Sequence, residues 1–240
     1  MTLQAGTPLM RRFPSGNGRL IACVATGLLV AIHTPAWSAP NAARPDAALN
    51  VAWRLVSHSD KLTIQRRSHQ ESGIEEVKAV GLIDAKPGVI KRVIEDTDAY
   101  PQFMPYVFAS RVIEKQGNTL VVYQRLSPPL TGALDYTMRM RFELERNDKG
   151  IICHRIRWEP ANEMGPPEKK GIARSKVNEG YWLLEPTATD GQTRATYWLY
   201  SDCGGVVPSS LVNYANRTTI PKLFDGVRKR VRLGIYAVQK

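Results

Sequence analysis

Along much of this chain, apolar and polar side chains alternate with a period of two, the signature of strands with one buried face. The clearest case is residues 134–145, where Tyr136, Met138, Met140, Phe142 and Leu144 share one face and Thr137, Arg139, Arg141 and Glu143 the other. Residues 151–159 repeat it, with Ile152, His154, Ile156 and Trp158 opposed to Arg155 and Arg157. Strands are also expected at 107–115, 119–126, 175–185 and 193–203. Turn residues at 116–118, 147–150 and 190–192 favour consecutive antiparallel pairing. Two earlier strands, 61–67 and 75–83, flank a turn at Ser72 and Gly73, and Val77, Ala79, Gly81 and Ile83 form one face of the second.

The period changes to that of a helix in four places. A short helix is expected over 45–57, packed through Trp53, Leu55 and Val56. A second runs from Asp84 and Pro87 to Glu95, with Val89, Ile90, Val93 and Ile94 inward. Residues 96–105, carrying Tyr100, Phe103 and Met104, form a further short turn or helix. The last and longest begins at Pro208, Ser209 and Ser210, after Gly204 and Gly205 end the preceding strand. It carries Ile220, Leu223, Phe224, Val227, Val231 and Ile235 as one apolar stripe, with Lys222, Asp225, Arg228, Lys229 and Arg232 opposite. Pro221 should divide it into two segments near 219–221, because an internal proline removes a backbone bond and crowds the preceding turn. The fold class is therefore α+β: a curved antiparallel sheet wrapped around a long C-terminal helix.

The first 38 residues carry a different pattern. Arg11, Arg12 and Arg19 precede an apolar run over 20–32 and then Pro35, Ala36, Trp37, Ser38 and Ala39, the anatomy of a signal peptide cleaved after Ser38. The run is too short for a membrane span. A periplasmic or secreted protein with one domain, 39–240, is expected. Losing three arginines and no acids lowers the net charge from +11 to +8. A basic exported protein suits transient contact with an anionic membrane surface, and export argues against nucleic acid. Cys153 and Cys203 follow the leader, one near the start and one near the end of separate strands, and are expected as free thiols. His58, His69 and His154 are scattered, no metal-ligand spacing occurs, and no GxSxG, P-loop, GxGxxG or HExxH is present. No cofactor is expected.

These residues resemble a known family. A long amphipathic helix closing a curved antiparallel sheet is the helix-grip arrangement, and the chain from about residue 53 to 231 resembles the START lipid-binding domain. The run Pro167, Lys169, Lys170, Gly171, Ile172, Ala173, Arg174 and then 180–186 is similar to its segment between late strands. Residues 198–208 and 211–213 are similar to its junction with the final helix, and 80–84 with 96–105 to its early strand and helices. The chain departs from many relatives in having Leu134 and Asp135 in place of Arg-Asp.

The resemblance implies an internal hydrophobic tunnel between sheet and helix holding one lipid-like molecule, with the loop 127–133 and the last helix at its mouth. Tyr136, Met138, Met140, Phe142 and Trp158 offer an adaptable lining on their own pattern, and His154 is a polar group among them needing a partner. Trp198, Phe224, Val227 and Val231 complete the expected ligand-binding set. Pro128, Pro129 and Leu130 in the loop and Pro221 in the helix form the expected gate, with Arg228, Lys229 and Arg232 steering it toward anionic head groups. The function expected is non-catalytic binding and transfer of a hydrophobic molecule. A cyclase or aromatase of the same superfamily, moving protons through His154, Tyr136 and Asp135, is one alternative, and a partner-binding module using the basic outer sheet is another.

Overall fold

The computed structural model describes residues 52–69 and 73–237, all within the second of the two units into which the chain divides, residues 46–240. The expected leader, residues 45–51 of the expected first helix and Ser72 lie outside the described residues.

Ten strands among the described residues form one curved, unclosed sheet, nine of them in the order β1-β2-β3-β10-β9-β7-β6-β5-β4 and β8 beside β6 off that path. They are β1 (Arg54–Ser59), β2 (Leu62–Ser68), β3 (Glu75–Ile83), β4 (Val107–Gln116), β5 (Thr119–Leu126), β6 (Leu134–Arg146), β7 (Ile152–Pro160), β8 (Ala173–Arg174), β9 (Val177–Pro186) and β10 (Thr193–Asp202). Every pairing is antiparallel except the two-residue β8, which lies parallel to β6 at Leu134 and Asp135. The expected meander is present, and β10 returns beside β3 from Thr193↔Ile83 to Leu199↔Val77, joining it to the N-terminal strands. One expectation is corrected. Residues 54–57 are not helical: they open β1, an edge strand paired with β2 and exposed at all six positions. Trp53, just before it, lies over the Arg67 guanidinium at 4.6 Å and the Lys78 ammonium at 4.4 Å on the outer face.

Two helices cover the concave face. Helix α1 (Pro87–Glu95) starts at its proline and buries Ile90, Val93 and Ile94. A 3-10 turn follows at Thr97–Gln102. Helix α2 (Ser209–Val231) starts directly after Pro208 and runs as one helix through Pro221 instead of as two segments. Ile220 and Phe224, buried on either side of the proline, hold the helix against a loss that would reach about 3 kcal/mol in an unsupported one. It ends earlier than the stripe suggested, leaving Ile235 exposed.

The core joins Val77, Ala79 and Ile83 of β3, Trp182 and Leu184 of β9, Ile156 of β7, the inner residues of α1, and Ile220, Phe224, Val227 and Val231 of α2. Three polar clamps fix α2. Near its start the Asn213 amide donates to the Gly73 carbonyl (3.0 Å) and accepts from the Glu75 N–H (2.9 Å). Farther on, the Arg228 guanidinium donates to the carbonyls of Lys61 (2.7 Å) and Leu82 (3.0 Å). Beyond its end, the Tyr236 hydroxyl accepts from Arg230 Nε (2.9 Å) and donates to Asp96.

On the convex face the arginines of the sequence pattern meet acids from neighbouring strands: Arg139 and Arg141 with Glu159, Arg155 with Glu145, Arg157 with Glu143. The segment 161–176 crosses this face. Its Arg174 forms a two-point, fully buried ion pair with Asp135 (2.7 and 3.1 Å), to which the Tyr123 hydroxyl also donates (3.0 Å).

Candidate functional site

Between the sheet and the first half of α2 lies a cavity of about 160 Å³ that opens to solvent on one side. Alternation supplies its floor. Tyr136, Met138 and Met140 of β6, Trp158 of β7, Trp182 of β9, and Tyr197, Leu199 and Ser201 of β10 all point to the same side. Helix α2 supplies the roof with Val212, Ala215, Asn216, Thr219, Ile220 and Leu223. Met104, Pro105 and Val107 close one flank and Pro128 and Thr131 the rim.

Room for the large rings comes from Gly180. A Cβ there would come within 2.3 Å of the Trp158 ring and of the Trp198 carbonyl. Trp158 therefore lies across β9, where its Nε1 donates to Asn178 Oδ1 (3.1 Å). The aromatic wall continues with Tyr197, whose ring centroid is 4.7 Å from that of Trp182 and 5.5 Å from that of Trp158.

No Asp, Glu, Lys, Arg or His is among the lining residues. The polar groups that do line it are mostly turned to protein partners. The Tyr136 hydroxyl donates to Gln124 Oε1 (2.8 Å), and Gln124 Nε2 to Ser110 (3.2 Å). The Tyr100 hydroxyl donates to the Ile94 carbonyl (2.7 Å). Burial pushes the Tyr136 phenol up to about 12 and raises Tyr100 and Tyr197 as well, so all three are neutral at ordinary pH. Burial likewise raises the Cys203 thiol in the wall.

Of the residues expected to bind ligand, Tyr136, Met138, Met140 and Trp158 are brought together in this wall. The others lie elsewhere, each for a physical reason. Phe142 is one turn of the pleat beyond Met140, in the core, with the Lys91 ammonium 5.2 Å from its ring centroid. His154 sits half-buried near Gly88 of α1, its pKa lowered by burial and by the neighbouring Lys91 and Arg92 charges. Trp198 has the opposite parity from Tyr197 and lies on the convex side, donating to Glu76 Oε2 (2.9 Å) and stacking on Tyr181. Phe224, Val227 and Val231 form the packed seam of α2, Phe224 against Trp182 at 5.2 Å between centroids.

The expected gate divides similarly. Pro128 lines the rim, while Pro129 and Leu130 are exposed and Pro221 lies off the lining. Leu130 has φ 71°, a left-handed conformation unfavourable to leucine. Arg228 is held in the carbonyl clamp described above, on the half of α2 away from the cavity, so it is not a free steering charge. The pattern missed Gln124, Asn178, Ser201 and Cys203, and on the helix Val212, Ala215, Asn216 and Thr219. The inward parity of the strand residues was the available signal. Cys153 and Cys203 are both buried and unpaired.

A curved antiparallel sheet gripping a C-terminal helix, with a cavity enclosed between them, defines the helix-grip class of folds. No family model matches the chain. Phosphatidylcholine transfer protein of Bos taurus is 26% identical over 185 residues, covering 76% of this chain and 85% of its own. The Mus musculus protein of the same name is 26% identical over 181 residues, covering 74% and 82%. Among solved structures, a STAR-related lipid transfer protein from Xanthomonas axonopodis has a TM-score of 0.66 at 24% identity, covering 75% of this chain and 98% of that one. Human StAR-related lipid transfer protein 5 reaches the same TM-score at 13% identity, covering 78% and 89%. The chain thus has the START-type helix-grip fold of these solved structures.

Proposed function

We propose that this protein binds a lipid in the cavity between its sheet and α2 and carries it without chemical change. The observation that carries this reading is the wall itself: aromatic, methionine and aliphatic side chains without a charged group, suited to taking up apolar surface at about 0.8 kcal/mol for each methylene removed from water. Sequence relatives named for phosphatidylcholine transfer support it.

The enzymatic alternative needed His154, Tyr136 and Asp135 around one substrate. Tyr136 lines the cavity, His154 lies beside α1, and Asp135 is engaged by Arg174 on the other face of β6, which favours the carrier. The partner-binding alternative relied on the basic outer sheet, whose arginines face glutamates.

In this reading the loop 127–133 and the first half of α2 open to admit ligand, and the rim touches an anionic membrane. Exposed Leu130 (69%), Val206 (64%) and Tyr214 (44%) each lie within three residues of a lining residue, and the chain is basic. Arg11, Arg12, Arg19 and the apolar run support export to the periplasm or beyond as the setting. Native mass spectrometry of protein purified from its own source, followed by lipid extraction, tests the central claim. A co-purifying lipid lost on denaturation is expected, and vesicles that neither give up nor receive a fluorescent lipid through the protein would overturn it.

A further inference from the structure

We propose that Asn216 orients the ligand, and that the part of the ligand enclosed is uncharged and presents a carbonyl or hydroxyl oxygen to the Asn216 amide. This rests on the lipid-binding reading and goes further, to the chemical class of lipid. Asn216 lies in the roof, one turn before Ile220. Its Nδ2 is shut off from solvent and has no hydrogen-bond partner. Its surroundings do not share this state: Gln124, Tyr136, Tyr100, Trp158 and Asn178 all have protein partners, and Ser201 is paired with Ser175 at 3.3 Å. A buried amide N–H left without an acceptor is costly, and native proteins rarely retain one with no use. An oxygen arriving with the ligand satisfies it once the side-chain amide turns into the cavity.

The wall limits what else can enter. With no cation in the lining, a phosphodiester drawn between sheet and helix would give up its water for nothing of opposite charge. A neutral lipid loses no such hydration. Its chains fill the methionine and tryptophan side while one of its carbonyl or hydroxyl oxygens meets α2. A pure hydrocarbon would fit the wall and leave Asn216 unpaired.

The full chain is incubated with vesicles containing equal amounts of diacylglycerol, phosphatidylcholine and squalene, and bound lipid is read by native mass spectrometry. Diacylglycerol is expected at about tenfold or more over each of the others. Asn216→Leu should lower diacylglycerol occupancy about tenfold and leave squalene equal or better, whereas Asn216→Ser, which keeps a short donor, should retain part of the preference. Since the Asn216 Nδ2 has no partner in the fold, both variants should melt close to the wild type; circular dichroism checks this, and if Asn216→Leu is unstable the serine variant alone decides. Phosphatidylcholine as the preferred lipid, or an unchanged preference in the folded variants, overturns this inference while the lipid-binding reading stands. Uptake of none of the three overturns both.

Discussion

Asp135 illustrates how one buried charge ties this molecule together. It accepts two bonds from Arg174 and one from Tyr123, and its backbone carbonyl receives the Ser175 N–H (3.0 Å). Asp135→Asn should therefore cost about 3–5 kcal/mol, measured by urea unfolding, because Arg174 would be left buried beside a neutral amide. His154 gives a pH effect of a definite sign. Burial, then Lys91 and Arg92, hold its folded pKa below the ordinary 6.5. As pH falls through 6.5 the unfolded chain takes up a proton that the folded chain refuses, so stability drops until the folded pKa is passed. His154→Gln should flatten the acid side of the stability profile, and a profile parallel to that of the wild type would show that His154 does not titrate differently on folding. Gly180→Ala should press on both the Trp158 ring and the Trp198 carbonyl, and so lower thermal stability and lipid uptake together, read by thermal melting alongside native mass spectrometry. Leu130→Asp should weaken binding to anionic vesicles in a flotation assay and leave the melting temperature unchanged, since that side chain is exposed.

At the scale of elements, strands with one dry face announced themselves. The pattern over residues 119–126 has the bounds of β5, and the alternation of β6 by itself places Tyr136, Met138 and Met140 on the inner side. What escaped had no period to read. β1 is exposed at every position, so its two apolar residues passed for a helix, and β8 is only two residues long. The helix stripe misled for a subtler reason. A stripe of large apolar residues finds the seam that packs, and Phe224, Val227 and Val231 are that seam. A cavity wall must leave space, so it falls on the smaller and more polar half of α2 with Val212, Ala215, Asn216 and Thr219. Two grips hold α2 in place, one in each half. Asn213 is bonded to Gly73 and Glu75, and Gly226 lies so close beneath Phe103 that a Cβ would stand 2.2 Å from its carbonyl oxygen. Gly226→Ala should displace α2 and destabilise the fold by about 1–3 kcal/mol in urea unfolding, as overpacked contacts do.

For the molecule as a whole, export is the expectation that biology rests on, and Edman sequencing of protein from cells should give a start near Ala39 or Pro40; soluble protein still beginning at Met1 or Met10 would contradict it. A second property of the whole follows from Cys203. Its thiol sits in the cavity wall, its pKa raised by burial, and so should react with an alkylating reagent only when the cavity opens and is vacant. Cys153, buried on β7 away from the lining, reacts only when the strand itself comes apart. On the carrier reading proposed above, these two thiols of the described residues would serve as natural clocks, one for cargo exchange and one for unfolding. The ratio of their labelling rates would then time the arrival and departure of a passenger.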